Sequence, residues 1–191
     1  MTGTELAARA TEFAKAETFY EYGGWGQTMS KSELERLAER YPKNKPINYN
    51  NVGKWGFDCI CFIKGLMAGV TVNHHVDSYQ EMKKNPIGDC TNVQFLEMLY
   101  DRCRPEDAPA GYGIATKGHA ALSLGSGRWI DVNRTGSGQD GVAVHIGGYP
   151  ADCIAGKIPG VDYSEIPPVS EKAVLMHFCE WLVDSYLNNK G

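Results

Sequence analysis

The chain contains no stretch of about 18 uncharged apolar residues, so nothing in it reads as a membrane-spanning helix. It has no basic run either: 19 Lys and Arg stand against 23 Asp and Glu, a net charge of -4, which argues against nucleic acid as a partner. Neither a CxxC nor an HxxxH pair occurs, and Cys59 and Cys61 are separated by a single residue, so the spacing of a structural zinc site is missing. GSGRW and GSGQDG are rich in glycine but lack phosphate-loop spacing and read as hairpin turns. The opening MTGTELAARATEFAKAETFY has no continuous apolar segment of the secretory type, which sets the expectation of cytoplasmic synthesis. In that compartment the six cysteines (Cys59, Cys61, Cys90, Cys103, Cys153, Cys179) are expected as free thiols, and no pattern asks for a cofactor.

What is present fits one globular domain. A chain of 191 residues, 42% of them hydrophobic, buries roughly 70% of the surface it exposes when unfolded. It needs neither disulfide nor metal to hold a core, which leaves its cysteines and histidines available for chemistry.

Leu6, Ala10, Phe13 and Ala14 recur at helical spacing behind Thr4, which predicts a helix over residues 4–18 with Thr4 as cap. The loop YEYGGWGQ follows. Ser30 and Glu33 have capping-box spacing ahead of Leu34, Leu37, Ala38 and Tyr41, a second helix ending near Pro42, and KNKPINYNNVGKWG is loop. CICFIKGLMA, residues 59–68, reads as a mostly buried helix with Asp58 as cap and Gly69 as stop. A short helix is expected over 76–84, and another from Thr91 to about Cys103. After RPEDAPAGYG the pattern changes to the alternation HAALSLG, RWIDV, GVAVHIGG and CIAGKIP, a small antiparallel sheet. SEIPPVSE is a linker, and AVLMHFCEWLVDSYL is a strongly apolar final helix. Helices, sheet and tail helix in that order define an α+β fold.

Cysteine is a nucleophile as thiolate, and a helix N-terminus lowers its pKa from about 8.5 by placing the positive end of the dipole beside the sulfur. Cys59 has that placement. Cys61, about 200° further round the axis, should face the core. Core packing is the plain reading of Cys59 as well, unless a base and an orienting group accompany it. HAALSLGSGRWIDV supplies both. With Gly125-Ser126-Gly127 as the hairpin loop, Leu124 pairs with Arg128, Ala121 with Asp131 and His119 with Asn133. His119, Asp131 and Asn133 then share one face: Asp131 is the diagonal neighbour at about 7 to 8 Å between backbones, and Asn133 sits directly opposite. Either can orient the imidazole. A one-residue change in the register would turn Asp131 to the other face.

GFDCICFIKG resembles the nucleophile segment of the NlpC-type cell-wall peptidases, a papain-like family that reads roughly FDCSGFV there. GHAALSLGSGRWIDV is similar to that family's histidine hairpin, GHVGIYLG followed about twelve residues on by a histidine, asparagine or glutamine; His119 and Asp131 are twelve apart. FYEYGG resembles its YxWGG loop, which places Tyr20 at the active-site tyrosine and Tyr22 at the tryptophan. The likeness covers residues from about 4 to 135. Ile60 and Cys61 depart from its serine and glycine, Asp131 is an acid where a neutral or histidine residue is usual, and Gly26 to Trp55 far exceeds the usual link. That extra stretch is expected to form part of the substrate cleft.

The resemblance implies a papain-like hydrolase domain over 1–163, with 164–191 as linker and amphipathic helix. It implies a cysteine peptidase or amidase acting on the peptide part of bacterial peptidoglycan, with Cys59 as nucleophile, His119 as base, Asp131 as orienter with Asn133 as alternative, and Tyr20 and Asp58 as oxyanion or substrate-positioning residues. Asp58 also reads as no more than the helix cap. A wall hydrolase without an export signal suits a phage or prophage endolysin that reaches the wall after release, or an effector exported by other means. A thiol acyltransferase on the same scaffold, or a wall-binding or virion assembly module without turnover, are the rival readings. His74 and His75 read as a surface turn, and His145 and His177 as structural histidines. Trp25, Trp55, Tyr112 and Trp129 suit a core better than sugar stacking. Val174, Leu175, Phe178, Trp181, Leu182 and Leu187 give the tail helix a broad apolar surface, expected to dock on its own domain, with self-association or docking on a membrane protein as alternatives. Without a polybasic face it does not suit a membrane surface.

Overall fold

A computed structural model describes residues 1–42, 46–134 and 140–165. Thr2, not Thr4, caps the first helix, α1 (Gly3–Phe13): its hydroxyl accepts from the Glu5 N–H while the Glu5 carboxylate accepts from the Thr2 N–H, a closed capping box. The helix also stops at Phe13, short of the expected residue 18. Beyond it the β-branched and aromatic Thr18, Phe19 and Tyr20 form a strand, β1 (Thr18–Tyr20). β2 (Trp25–Thr28) and β3 (Trp55–Phe57) also lie in stretches expected as loop. β3 is the middle strand of this small sheet, parallel to β1 and antiparallel to β2. The first half is therefore not purely helical. Its short strands leave little alternation to read, and their pairing joins segments about 27 to 37 residues apart.

Between β2 and β3, α2 (Lys31–Arg40) is capped by Ser30, whose hydroxyl accepts from Glu33 N–H. The Glu33 carboxylate does not complete a box; it takes the Arg36 guanidinium and the Gln27 amide instead. Leu34 and Leu37 pack with Phe19 and Met29 into a small separate core. β3 runs directly into α3 (Cys59–Ala68), with Asp58 as the single residue between them. α3 is buried from Cys59 to Leu66 and ends at Gly69 in the left-handed conformation. Phe13, Phe57 and Phe62 meet edge to face with centroids 5.1 to 6.0 Å apart, joining α1, β3 and α3.

The helix expected over 76–84 is a single turn, α4 (Tyr79–Met82). The next, α5 (Asn92–Met98), has the capping box Thr91 and Gln94 but stops before Cys103. Arg102 explains the stop: its guanidinium donates to the carbonyls of Leu96, Glu97 and Leu99, closing the helix end from the strand that follows. That strand is β4 (Tyr100–Cys103). It joins β5 (Gly113–Ala115), β6 (Ala120–Gly125), β7 (Arg128–Arg134), β8 (Asp140–Ile146) and β9 (Ile154–Lys157) in an antiparallel sheet of order β4-β9-β5-β6-β7-β8. Five α-helices and two sheets among the described residues make the α+β class.

The β6–β7 hairpin differs from expectation in a way that leaves its register intact. Two residues, Ser126 and Gly127, both at positive φ, make the turn, because such a turn matches the twist of the strands better than a three-residue loop. The missing residue returns as a bulge at Leu124: Gly125 pairs with Arg128, while Ser123 pairs with Trp129 and Leu122 with Ile130. The two shifts cancel and every side chain inward of Ser123 keeps its expected face. The tail helix, with His177 and Cys179, and most of the GSGQDG turn lie outside the described residues.

Phe62 is fully buried where α1, β3 and α3 meet. Phe62→Ala is expected to lower the unfolding free energy by about 3 to 5 kcal/mol in urea titration; a loss below about 1 kcal/mol would place the packing centre elsewhere.

Candidate active site

Cys59 is the first residue of α3. Asp58 caps that helix through one oxygen, which accepts from Cys61 N–H at 2.7 Å, and through the other accepts from Gly23 N–H at 3.2 Å in the tyrosine loop. Asp58 N–H in turn donates to Gly24 O at 2.9 Å. One carboxylate thus locks the helix start to the loop beside it. Gly23 has φ +80, and a Cβ there would meet the Tyr41 ring at 2.6 Å, so the close approach requires glycine. Burial pushes the Asp58 pKa up, against the pull of the Cys61 N–H. Cys61 points toward Trp25 and Met82, and its thiol is pushed well above the ordinary value by burial and by Asp58.

His119 is carried on the turn before β6. The Thr116 hydroxyl accepts from the N–H groups of Gly118 and His119, and the His119 carbonyl accepts from Thr116 N–H. His119 Nε2 lies 2.6 Å from Asp131 Oδ2 on β7, and Cys59 is close enough to the ring to help raise its pKa. With Nε2–H given to the carboxylate, Nδ1 is the nitrogen left for the thiol proton. Of the two orienters expected, Asp131 is the one bonded to the ring. Asp131 has no solvent exposure, and its Oδ1 lies 2.9 Å from Nε2 of His145 on β8. Burial opposes charge on His119, but the hydrogen bond to Asp131 and the nearness of Cys59 outweigh it and its pKa is pushed up to about 9.

Two contributors were not singled out from the sequence as parts of this site. Asn92, the first residue of α5, places its amide nitrogen 3.5 Å from Cys59 Sγ and 3.0 Å from Gly118 O. A carbonyl only accepts, so the nitrogen must face Gly118, which fixes the amide's orientation; the sulfur then lies 3.5 Å from that nitrogen and 3.6 Å from Asn92 Oδ1, which accepts from the thiol. Lys64 is buried inside α3 and donates to Asp89 Oδ1 and Cys90 O, both at 3.1 Å. The Tyr79 hydroxyl donates to the same Asp89 oxygen at 2.6 Å. This network ties α3 to the segment that delivers Asn92. A lysine inside the otherwise apolar CICFIKGLMA was its sequence signal; Asn92 had none, because a helix start 33 residues from Cys59 carries no periodicity pointing back to it.

Cys59 lines a cleft of about 690 Å³. Tyr20, Tyr22 and Trp25 also line it, as do Arg36, Arg40 and Tyr41 of the stretch between Gly26 and Trp55, and Tyr22 and Tyr41 meet edge to face at 4.9 Å. That stretch therefore does border the cleft. β1, which carries Tyr20, is held over β8 by Tyr20 N–H to Asp140 at 3.1 Å and Val142 N–H to the Thr18 hydroxyl at 2.9 Å. His74 and His75 lie apart from these residues: they stack on each other, and the His75 ring meets Trp55 edge to face. Trp129 stacks on His145. Among the described residues the cysteines are unpaired, no cluster of three metal-binding side chains occurs, and no helix is long and apolar enough to cross a membrane. Comparison with protein-family models, with characterised proteins and with solved structures finds no match to this chain.

The raised pKa has a sign. Folding favours protonated His119, so this contact's contribution to stability is complete below the ordinary value of 6.5 and is lost as pH rises through about 9. NMR titration of the His119 ring should give a midpoint near 9, and Asp131→Asn should move it down toward 6.5; an unmoved midpoint would contradict the role given to the carboxylate.

Proposed function

We propose that this chain is a papain-like cysteine peptidase or amidase that hydrolyses amide bonds in the peptide part of bacterial peptidoglycan. The observation that carries the reading is the buried Asp131 hydrogen-bonded to His119, whose ring meets the Cys59 thiol at a helix start. The likeness of GFDCICFIKG, the histidine hairpin and FYEYGG to the NlpC-type peptidases supplies the substrate class. The cleft has the volume of sites that take small ligands and short peptides.

The chemistry starts from proton transfer between Cys59 Sγ and His119 Nδ1. The sulfur attacks the amide carbonyl carbon, a C–S bond forms, and the carbonyl π pair moves to oxygen. That oxyanion receives the backbone N–H of Cys59 and an amide hydrogen of Asn92. His119 gives its proton to the amide nitrogen as the C–N bond breaks, and the amine leaves. Water then loses a proton to His119, attacks the thioester carbonyl and expels the thiolate, releasing the acid. Asp131 holds the ring through Nε2 throughout, and Asp58 keeps the sulfur in place by fixing the helix start.

Cys59→Ala is expected to abolish lysis of purified walls in a turbidity assay while the urea transition stays within about 1 kcal/mol of native. Retained lysis would remove Cys59 as nucleophile, and mass spectrometry showing acyl transfer to an amine or lipid hydroxyl would redirect the reading to the acyltransferase. Asn92→Ala should lower kcat about a hundredfold with KM little changed, as expected for a donor used in the transition state; a rise in KM alone would make Asn92 a ground-state contact.

A further inference from the structure

β7 is flanked symmetrically. β7 pairs with β6 on one side and with β8 on the other, and Asp131 opposes Ala143 while Trp129 opposes His145. His145 is thus the diagonal neighbour of Asp131 across β8, as His119 is across β6. Both imidazoles bring Nε2 to the same carboxylate, one to each oxygen, at 2.6 and 2.9 Å. A fully buried carboxylate needs donors at both oxygens, and here each imidazole serves one of them. The His145 ring is itself held in place. It stacks on Trp129 with centroids 4.2 Å apart and planes at 25°, and the Trp129 indole N–H donates to Gly147 O at 2.8 Å. Tyr149 stacks on the other partner, Trp129, at 5.7 Å.

We propose that His145 is a positioning residue of the site: by donating Nε2–H to Asp131 Oδ1 it holds that carboxylate aimed at His119. The site is then a relay of four side chains, Cys59, His119, Asp131 and His145. The fourth acts on the sulfur only through the other three. This inference rests on the catalytic reading of Cys59 and His119 for its consequence in turnover, but the coupling itself is measurable without substrate.

Two substitutions separate the N–H donor from the aromatic ring. His145→Phe keeps a ring against Trp129 and removes the donor; His145→Gln keeps an N–H near the Nε2 position and removes the ring. Two readouts apply to each: the His119 titration midpoint by NMR, and the rate of Cys59 alkylation by iodoacetamide at pH 7, resolved by peptide mass spectrometry. The expected result is that His145→Phe lowers the His119 midpoint by about one pH unit and slows Cys59 alkylation about tenfold, while His145→Gln stays within about twofold of native. A native-like His145→Phe, or equal losses in both variants, would overturn the proposal and leave His145 as packing for Trp129. If the coupling is present while purified walls remain intact, the relay stands and the hydrolase reading fails; if walls are lysed equally well by His145→Phe with an unmoved midpoint, the reverse holds.

Discussion

The site depends on one buried carboxylate. Asp131 sits on the penultimate strand of the large sheet with no exposure to water, where a carboxylate needs hydrogen bonds at both oxygens. Imidazoles from the two neighbouring strands supply them. In return the carboxylate raises the pKa of His119, fixes which of its nitrogens points inward, and leaves the other for the sulfur.

The other half of the site is held by short backbone-directed bonds. Asp58 occupies the single position between β3 and α3, so the same residue that caps the helix also ties the tyrosine loop to it. Lys64, one turn deeper, reaches Asp89 and the Cys90 carbonyl and so fixes the approach to Asn92. Asn92 then bridges Cys59 and the turn that carries His119. Cys59, His119 and Asn92 come from three segments far apart in sequence, and each is placed by a cap, a turn or a buried ion pair.

Much of this was legible in the residue order. Capping patterns at Ser30, Asp58 and Thr91 located three helices, and strand alternation located the histidine hairpin with the register that brings His119 to Asp131. The turn was misjudged by one residue, yet the bulge at Leu124 compensates, so the face assignment survived an error in its premise. The small sheet was not legible, since strands of three or four residues show no period and pair across long separations. Nor was the end of α5, which depends on Arg102 folding back from the next strand. Asn92 and His145 were missed for a related reason: what matters about each is a neighbour across space, and reading His145 would have required extending the ladder from β7 to β8 as well as from β6 to β7.

The central claim is that Cys59 is activated by the histidine beside it and not merely buried. Cys59 and Cys61 are 6% and 4% exposed, so a difference in their reactivity reports activation and not access. The direct measurement is site-resolved alkylation of the native protein at pH 6 under limiting reagent. The account predicts that Cys59 is modified at least about tenfold faster than Cys61 or Cys90; equal rates at the three thiols would contradict it.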